Sequence, residues 1–210
     1  MHHFRAKNED NNEHAEVSSS SIELTRKLVS ALPECIILPH DTVAFNQSLN
    51  SYWAQQQRDA VPACVLRPQN AQHLCTAITI LKQKYDERGG IAGGVGDQAV
   101  GLFTIRSGGY SSVPGSASLW GLVLIDLSLF CQVTISEDRS NVTIGSGADW
   151  GDVSKVLDDE GLAVAGGMDS AVGVGDLLLR GKLLTFSISP GSHLKLENST
   201  NSSLNSHAWN

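Results

Sequence analysis

The sequence predicts an α+β domain in which a small parallel β-α-β unit lies beside a mainly antiparallel one. Three observations carry that expectation. Helical and strand periods of apolar residues succeed one another in the order β-α-β, then several strands, then α-β. All 20 glycines fall between Gly89 and Gly191, so ordinary elements precede a loop-rich scaffold whose backbone must turn tightly or approach something closely. The 210 residues are 41% hydrophobic and 18% charged, the composition of a chain that buries a core.

In chain order, residues 1–19 are polar and charged and read as a disordered tail. Ser20 and Ser21 are candidate caps for a helix with Leu24, Leu28 and Leu32 on one face, ended by Pro33. Ala63–Arg67 reads as a short strand stopped by Pro68. Asn70 caps a second helix with Leu74, Ile78 and Leu81 on one stripe, running to about Tyr85. Gly89–Gly96 is a loop, and Gly101–Arg106 is apolar enough for a buried strand. Gly121–Leu127 is the clearest buried strand. Cys131–Ile135 and Asn141–Gly145 form a hairpin around Glu137–Ser140. Asp149 caps a helix bearing Trp150, Val153 and Leu157, closed by Gly161, and Leu162–Ala165 reads as another strand.

Charge and composition exclude several function classes. Fifteen Lys and Arg face 22 Asp and Glu, a net charge of −7, the opposite of a nucleic-acid footprint. No run approaches the roughly 18 consecutive apolar residues of a membrane span, and no membrane partner is expected. The cysteines Cys35, Cys64, Cys75 and Cys131 include no C-x-x-C pair, so neither a zinc nor a thioredoxin-like pattern is read, and no metal is expected. Their even number, and Asn-x-Ser/Thr sequons at Asn46, Asn141, Asn198 and Asn201, would suit a secreted protein. Both features also arise by chance in Ser- and Asn-rich chains, and the polar N-terminus shows no signal-peptide h-region.

Two glycine patterns imitate nucleotide sites. Gly175–Lys182 resembles a P-loop, but five residues separate its glycines and Leu183 replaces the metal-binding hydroxyl. Gly145, Gly147 and Gly151 follow a strand and open a helix, with Asp169 at the distance of a ribose-binding acid. An NAD-binding Rossmann unit is therefore one alternative, although the preceding strand belongs to a hairpin. No Ser/His/Asp or Cys/His arrangement stands out, and His73 reads as a surface residue of its helix.

Two segments remain. Arg106-Ser107-Gly108-Gly109-Tyr110-Ser111 follows a buried strand, and its small residues let successive backbone N–H groups converge on an anion such as a pyrophosphate. Val172-Gly173-Val174-Gly175 alternates small and apolar residues, which permits close approach to a flat ligand. Either segment taken alone is equally compatible with a tight turn.

Taken together and in this order, the motifs resemble the FAD-binding domain of the FAD-linked oxidases, of vanillyl-alcohol-oxidase or p-cresol-methylhydroxylase (PCMH) type, in its fungal berberine-bridge-like branch. The series runs from Tyr52-Trp53 through Pro62-Ala63-Cys64-Val65, Arg67-Pro68 and Ile105–Gly109 to Val113-Pro114-Gly115 and Val123–Leu127. It continues through Ile144–Trp150, Gly161–Val164 and Gly166-Gly167 to Val172–Gly175, about 140 residues in all. The resemblance implies two α+β lobes clasping FAD. Arg106, Ser107, Gly108, Gly109, Tyr110, Ser111 and Gly115 would wrap the pyrophosphate side, and Val172, Gly173, Val174 and Gly175 would run along the flavin. It further implies hydride transfer from a small alcohol, sugar or alkaloid-like substrate to FAD, with electrons passed to O₂ or another acceptor.

The chain departs from that family at four places. Tyr110 stands where many members bond a histidine to the flavin, and Asp169 stands where doubly attached members have a cysteine, so a non-covalent FAD is expected. Asp176 interrupts a paired glycine, and Arg180-Gly181-Lys182 replaces a glycine triplet. A carboxylate near a pyrophosphate repels it, and either cation would offset this by pointing inward. The resemblance stops near Gly191. The expected organisation is thus a tail (1–19), a helical lead-in (20–61), a partial PCMH-type FAD-binding domain (62–191) and a polar non-family tail (192–210). Without a substrate domain or catalytic base this stretch alone is expected to be inactive, and a remnant that binds flavin weakly or not at all is the other alternative.

Overall fold

A computed structural model of the chain describes residues 19–87 and 101–180. The expected tails, the Gly89–Gly96 loop and Gly181-Lys182 lie outside the described residues.

Helix α1 (Ser19–Ala31) starts one residue before the expected caps, so Ser20 and Ser21 lie within it, and it buries Leu24 and Leu28, with Leu32 just beyond its end. Pro33 ends it, and a short 3-10 helix, Pro33–Cys35, leads into strand β1 (Ile36–Ile37). Two residues carry no readable period, which is why the lead-in was expected to be helical only. Helices α2 (Thr42–Asn50) and α3 (Gln55–Arg58) complete it. Strand β2 (Cys64–Leu66) is wholly buried and pairs antiparallel with β1. Helix α4 (Ala71–Glu87) is capped as expected, the His73 N–H donating to Asn70 Oδ1 at 2.9 Å. Its buried face is Leu74, Ala77 and Leu81, packed against α1, whereas Ile78 faces outward.

Strands β3 (Phe103–Arg106) and β4 (Val123–Asp126) complete a four-stranded sheet of order β1-β2-β4-β3. β4 is central, parallel to both neighbours and buried throughout. β3 was expected to be buried but is an edge strand, with Ile105 exposed and Arg106 its one buried residue. Apolar composition does not reveal which strand occupies an edge.

The second unit starts from the hairpin of β5 (Val133–Ile135) and β6 (Val142–Ile144). Helix α5 (Trp150–Asp159) lays Trp150, Val153 and Leu157 into a core with Val142, Val174 and Leu177. Asp149 occupies the cap position without making the side-chain hydrogen bond, and Gly161 closes the helix at φ +63°. Leu162–Ala165, expected as a strand, joins no ladder, and the Leu162 N–H instead donates to the Leu157 carbonyl at 2.8 Å. Helix α6 (Val174–Arg180) takes over most of the false P-loop.

The Rossmann alternative fails on the same topology, because β6 is the second arm of an antiparallel hairpin and, among the described residues, has no parallel partner. Its glycines serve the packing of the chain. A Cβ at Gly145 would lie 2.0 Å from the Phe130 carbonyl oxygen, and one at Gly147 would lie 1.8 Å from that of Leu127. Both glycines therefore let the segment after β6 lie on the connection between β4 and β5.

Below the loop that follows β3 lies a buried polar network. Arg106, 4% exposed, pairs with fully buried Asp126 at 2.7 Å. It also donates to the Ser48 carbonyl at 2.6 Å and to Ser48 Oγ at 2.7 Å, and its guanidinium sits 4.6 Å from the Tyr52 ring centroid. Arg67 reaches the same Asp126 oxygen at 2.9 Å, and the Ser128 N–H donates to the other oxygen at 3.1 Å. Ser48 is also the third residue of the Asn46 sequon, so the hydroxyl that the sequon supplies is used inside the fold.

Burial alone would push the Asp126 carboxyl upward. The Arg106 charge and hydrogen bond, then Arg67 and the Ser128 amide, outweigh it and hold the carboxyl below its ordinary value. A carboxylate depressed in the folded state stabilises above its unfolded pKa, and that contribution is lost as pH falls through the folded one. The network should therefore weaken in acid and not between neutrality and pH 5. Asp126→Ala leaves the Arg106 charge buried and should cost about 3–5 kcal/mol in urea unfolding. Arg139→Ala, at an exposed pair with Glu160, should cost about 1 kcal/mol or less. Gly147→Ala should cost about 1–3 kcal/mol through overpacking.

Candidate functional site

The two segments singled out in the sequence meet in space. Arg106 ends β3, its carbonyl accepts the Leu127 N–H at 2.9 Å, and the chain then leaves the sheet as Ser107–Ser111. On the other side, Trp150 N–H donates to the Val172 carbonyl at 3.0 Å and Val174 N–H to that of Ala148 at 2.9 Å. These bonds hold Gly173 in a bridge with Asp149. The two backbones touch at glycines. A Cβ on Gly108 would stand 2.7 Å from Gly173 N and 2.7 Å from Asp149 Oδ1, and one on Gly173 would stand 2.4 Å from Gly108 N. Gly175 lies in the same seam, near Ser107 and the Ser146 carbonyl, and Ser107 Oγ donates to that carbonyl at 2.6 Å. The glycines are thus required by chain-to-chain contact between the two units.

Other site residues fall differently. Arg106 is committed to Asp126 and Ser48, so its side chain props the loop from beneath instead of offering donors above it. Gly109 adopts φ +67° against the Tyr52 ring, a conformation that favours glycine, and Tyr52 is anchored by donating to the Ala117 carbonyl at 2.7 Å. Ser111 Oγ accepts the Val113 N–H at 3.3 Å. Gly115 turns at φ +78° beside Leu119, outside the seam. Val172 and Val174 pack into the second core, so only the glycines between and after them face the seam.

Tyr110 and Asp169, 59 residues apart, meet across the rim. The phenol donates to Asp169 Oδ2 at 2.7 Å. That hydrogen bond and the acid's charge raise the Tyr110 pKa, while the same bond and the Ala171 amide lower that of Asp169, so neutral phenol and carboxylate form a stable pair. Trp53, largely exposed, donates its indole N–H to the Tyr110 carbonyl, its ring centroid 5.8 Å from that of the tyrosine. No local signal in the sequence marks Trp53 as part of this rim. Asp149, read only as a helix cap, places Oδ1 in the seam with no hydrogen-bond partner among the described residues, and burial, then Asp152, pushes its pKa up.

The backbone supplies the remaining chemistry. Among the described residues, no acceptor is found for the N–H groups of Ser107, Gly108, Gly109, Tyr110 or Ser111. Five successive amide donors with a left-handed glycine among them are suited to an anionic ligand such as a pyrophosphate. The residues present therefore fit a dinucleotide cofactor on the loop side. No cysteine or histidine of the described residues takes part in the seam.

The chain is similar to the FAD-dependent monooxygenase tpcD of Cochliobolus heterostrophus, 32% identical over 149 residues covering 70% of this chain and 26% of that protein. It is similar to the FAD-dependent monooxygenase prx3 of Penicillium roqueforti, 30% identical over 178 residues, or 84% and 31% of the two chains. The chain thus spans about a quarter to a third of the length of these relatives. Among solved structures it resembles 6-hydroxy-D-nicotine oxidase of Arthrobacter nicotinovorans, with TM-score 0.50, 25% identity and coverage of 66% and 26%. The fold is also that of xylooligosaccharide oxidase of Myceliophthora thermophila, with TM-score 0.51, 21% identity and coverage of 75% and 29%. Residues 62–194, more than half of the chain, match the FAD binding domain family, and the chain belongs to it.

Proposed function

We propose that this chain is the FAD-holding part of a flavin-dependent oxidoreductase that oxidises a small organic molecule, of alcohol, sugar or alkaloid-like class. The observation that carries the reading is the row of amides from Ser107 to Ser111, for which no acceptor is found among the described residues, beside the Gly108–Gly173 seam. Ser107, Gly108, Gly109, Tyr110 and Ser111 bind the pyrophosphate through backbone N–H groups. Arg106 and Tyr52 hold that loop from below, and Gly173 and Gly175 set the closeness of the opposing segment. Residues of this loop and seam would hold FAD, which would supply the hydride acceptor, with O₂ or another acceptor as the electron sink. The relatives' names, FAD-dependent monooxygenases and oxidases of small molecules, support this class.

The cofactor is held without a covalent bond. The two positions that resemblance associates with flavin attachment are Tyr110 and Asp169, and each is the other's hydrogen-bond partner. The visible spectrum of the purified chain, with FAD added, tests both points. A flavin spectrum that passes into the supernatant on acid precipitation is expected. Flavin retained in the precipitate would refute the non-covalent reading, and failure to bind FAD would refute the site. Gly108→Val should weaken FAD binding by at least about tenfold, since its side chain forces the Ser107–Ser111 loop away from Gly173. Unchanged affinity in a folded variant would show that the loop does not hold the cofactor. Tyr110→His alone should leave all flavin acid-extractable, because attachment needs a complete reacting site.

A further inference from the structure

We propose that Glu34, Cys35 and His73 form a binding site for a zinc-class divalent cation. Cys35 Sγ lies 3.1 Å from His73 Nδ1 and 3.9 Å from Glu34 Oε1, and His73 Nε2 lies 3.6 Å from the same carboxylate oxygen. One ligand atom from each residue can be chosen so that all three fall within 4.8 Å of one another. Tetrahedral zinc with ordinary Zn–S and Zn–N bonds sets sulfur and nitrogen about 3.6 Å apart. With Nδ1 as the ligating nitrogen, the Cys35–His73 pair, at 3.1 Å, thus needs to open by about half an ångström. Thiolate, imidazole and carboxylate form the donor set that zinc-like metals prefer over calcium or magnesium.

The backbone beneath these ligands is already fixed. Cys35 ends the 3-10 turn, its N–H donating to Leu32 at 3.0 Å and its carbonyl accepting the Arg67 N–H at 2.7 Å. His73 stands in the first turn of α4, locked by the Asn70 cap. Cys35 is 1% exposed and the Glu34 side chain 48%, so the site has a dry floor and a mouth through which a metal and a fourth, water ligand can enter. Burial raises the pKa of the Cys35 thiol, a Gln69 backbone hydrogen bond lowers it, and Glu34 adds to the rise. Binding breaks its S–H bond, forms an S–metal bond and releases the proton to solvent. The positive N-terminal end of α4 opposes a cation, and the thiolate and the Glu34 carboxylate together offset it. The site shares no residue with the loop seam, and it makes His73 a ligand and not the plain surface residue that its helix position suggested.

Cobalt(II) titration of the full chain provides the test, followed through the thiolate-to-metal absorption band in the near ultraviolet. One equivalent of Co²⁺ should produce the band and Zn²⁺ should displace it. Cys35→Ser should abolish it, and His73→Ala should weaken binding by at least about tenfold, the loss seen when even supporting groups of a ligand are removed. Because Cys35 is buried and its variant could misfold, Glu34→Gln at the exposed mouth gives a second reading, in which zinc raises the melting temperature of the parent chain more than that of the variant. No band, a band that survives Cys35→Ser through exposed Cys75 or Cys131, or equal zinc stabilisation of parent and Glu34→Gln would overturn the proposal.

Discussion

The ion pair of Arg106 with Asp126 is the constraint on which the site depends. It joins the last residue of the edge strand to the last residue of the central one, at the point where the chain leaves the sheet for the loop. A buried ion pair offers little net stability over an apolar pair, since desolvating two charges costs several kcal/mol. What it supplies here is position. The guanidinium is held by Asp126, Ser48 and the Tyr52 ring, so the carbonyl and the loop that follow have one place to go. Arg67 and the Ser128 amide complete the acid's hydrogen bonding, which is what makes so buried a carboxylate tolerable.

The second constraint is contact between backbones. Gly108 and Gly173 lie so close that neither could carry a side chain, and Ser107 fastens the loop to Ser146 across the same seam. This contact joins the sheet unit to the hairpin-and-helix unit, and the loop's amides find no acceptor among the described residues. On the proposed function, packing and binding make opposite demands on adjacent atoms: the Cα positions are closed by protein, while the N–H groups serve an anion. Glycine satisfies both, because it removes the side chain without removing the donor.

Much of the fold was legible in the sequence because it rests on local periodicity and end signals. The stripe of Leu24, Leu28 and Leu32, the Asn70 cap, the hairpin around Glu137–Ser140 and the Gly161 terminator all behave as local rules require. Errors arose where the deciding fact was not local. Two-residue β1 exists only through pairing with β2, and Ile105 is exposed only because β3 is at an edge. Ala77, not Ile78, joins Leu24 and Leu28 of α1 in the core, a choice between i+3 and i+4 that the partner helix makes. Gly145 and Gly147 signalled close approach correctly, yet nothing local says whether a nucleotide or the Leu127–Phe130 connection approaches. For the same reason nothing local says that the side chain of Arg106, read as the start of the loop wrapping the pyrophosphate, is committed to Asp126 and Ser48. The Tyr110–Asp169 bond joins positions 59 residues apart, and only the ordered series of motifs hinted that both belong to one rim.

The central claim is that the amides from Ser107 to Ser111 hold the pyrophosphate of FAD. Residue-resolved hydrogen exchange of the chain with and without FAD tests it most directly. These five amides have no acceptor among the described residues, so they should exchange faster than the β4 amides in the absence of cofactor and slow by at least about tenfold when FAD is present. If FAD binds while these amides exchange as before, and protection appears around Gly145–Gly151 instead, the account of the site is wrong.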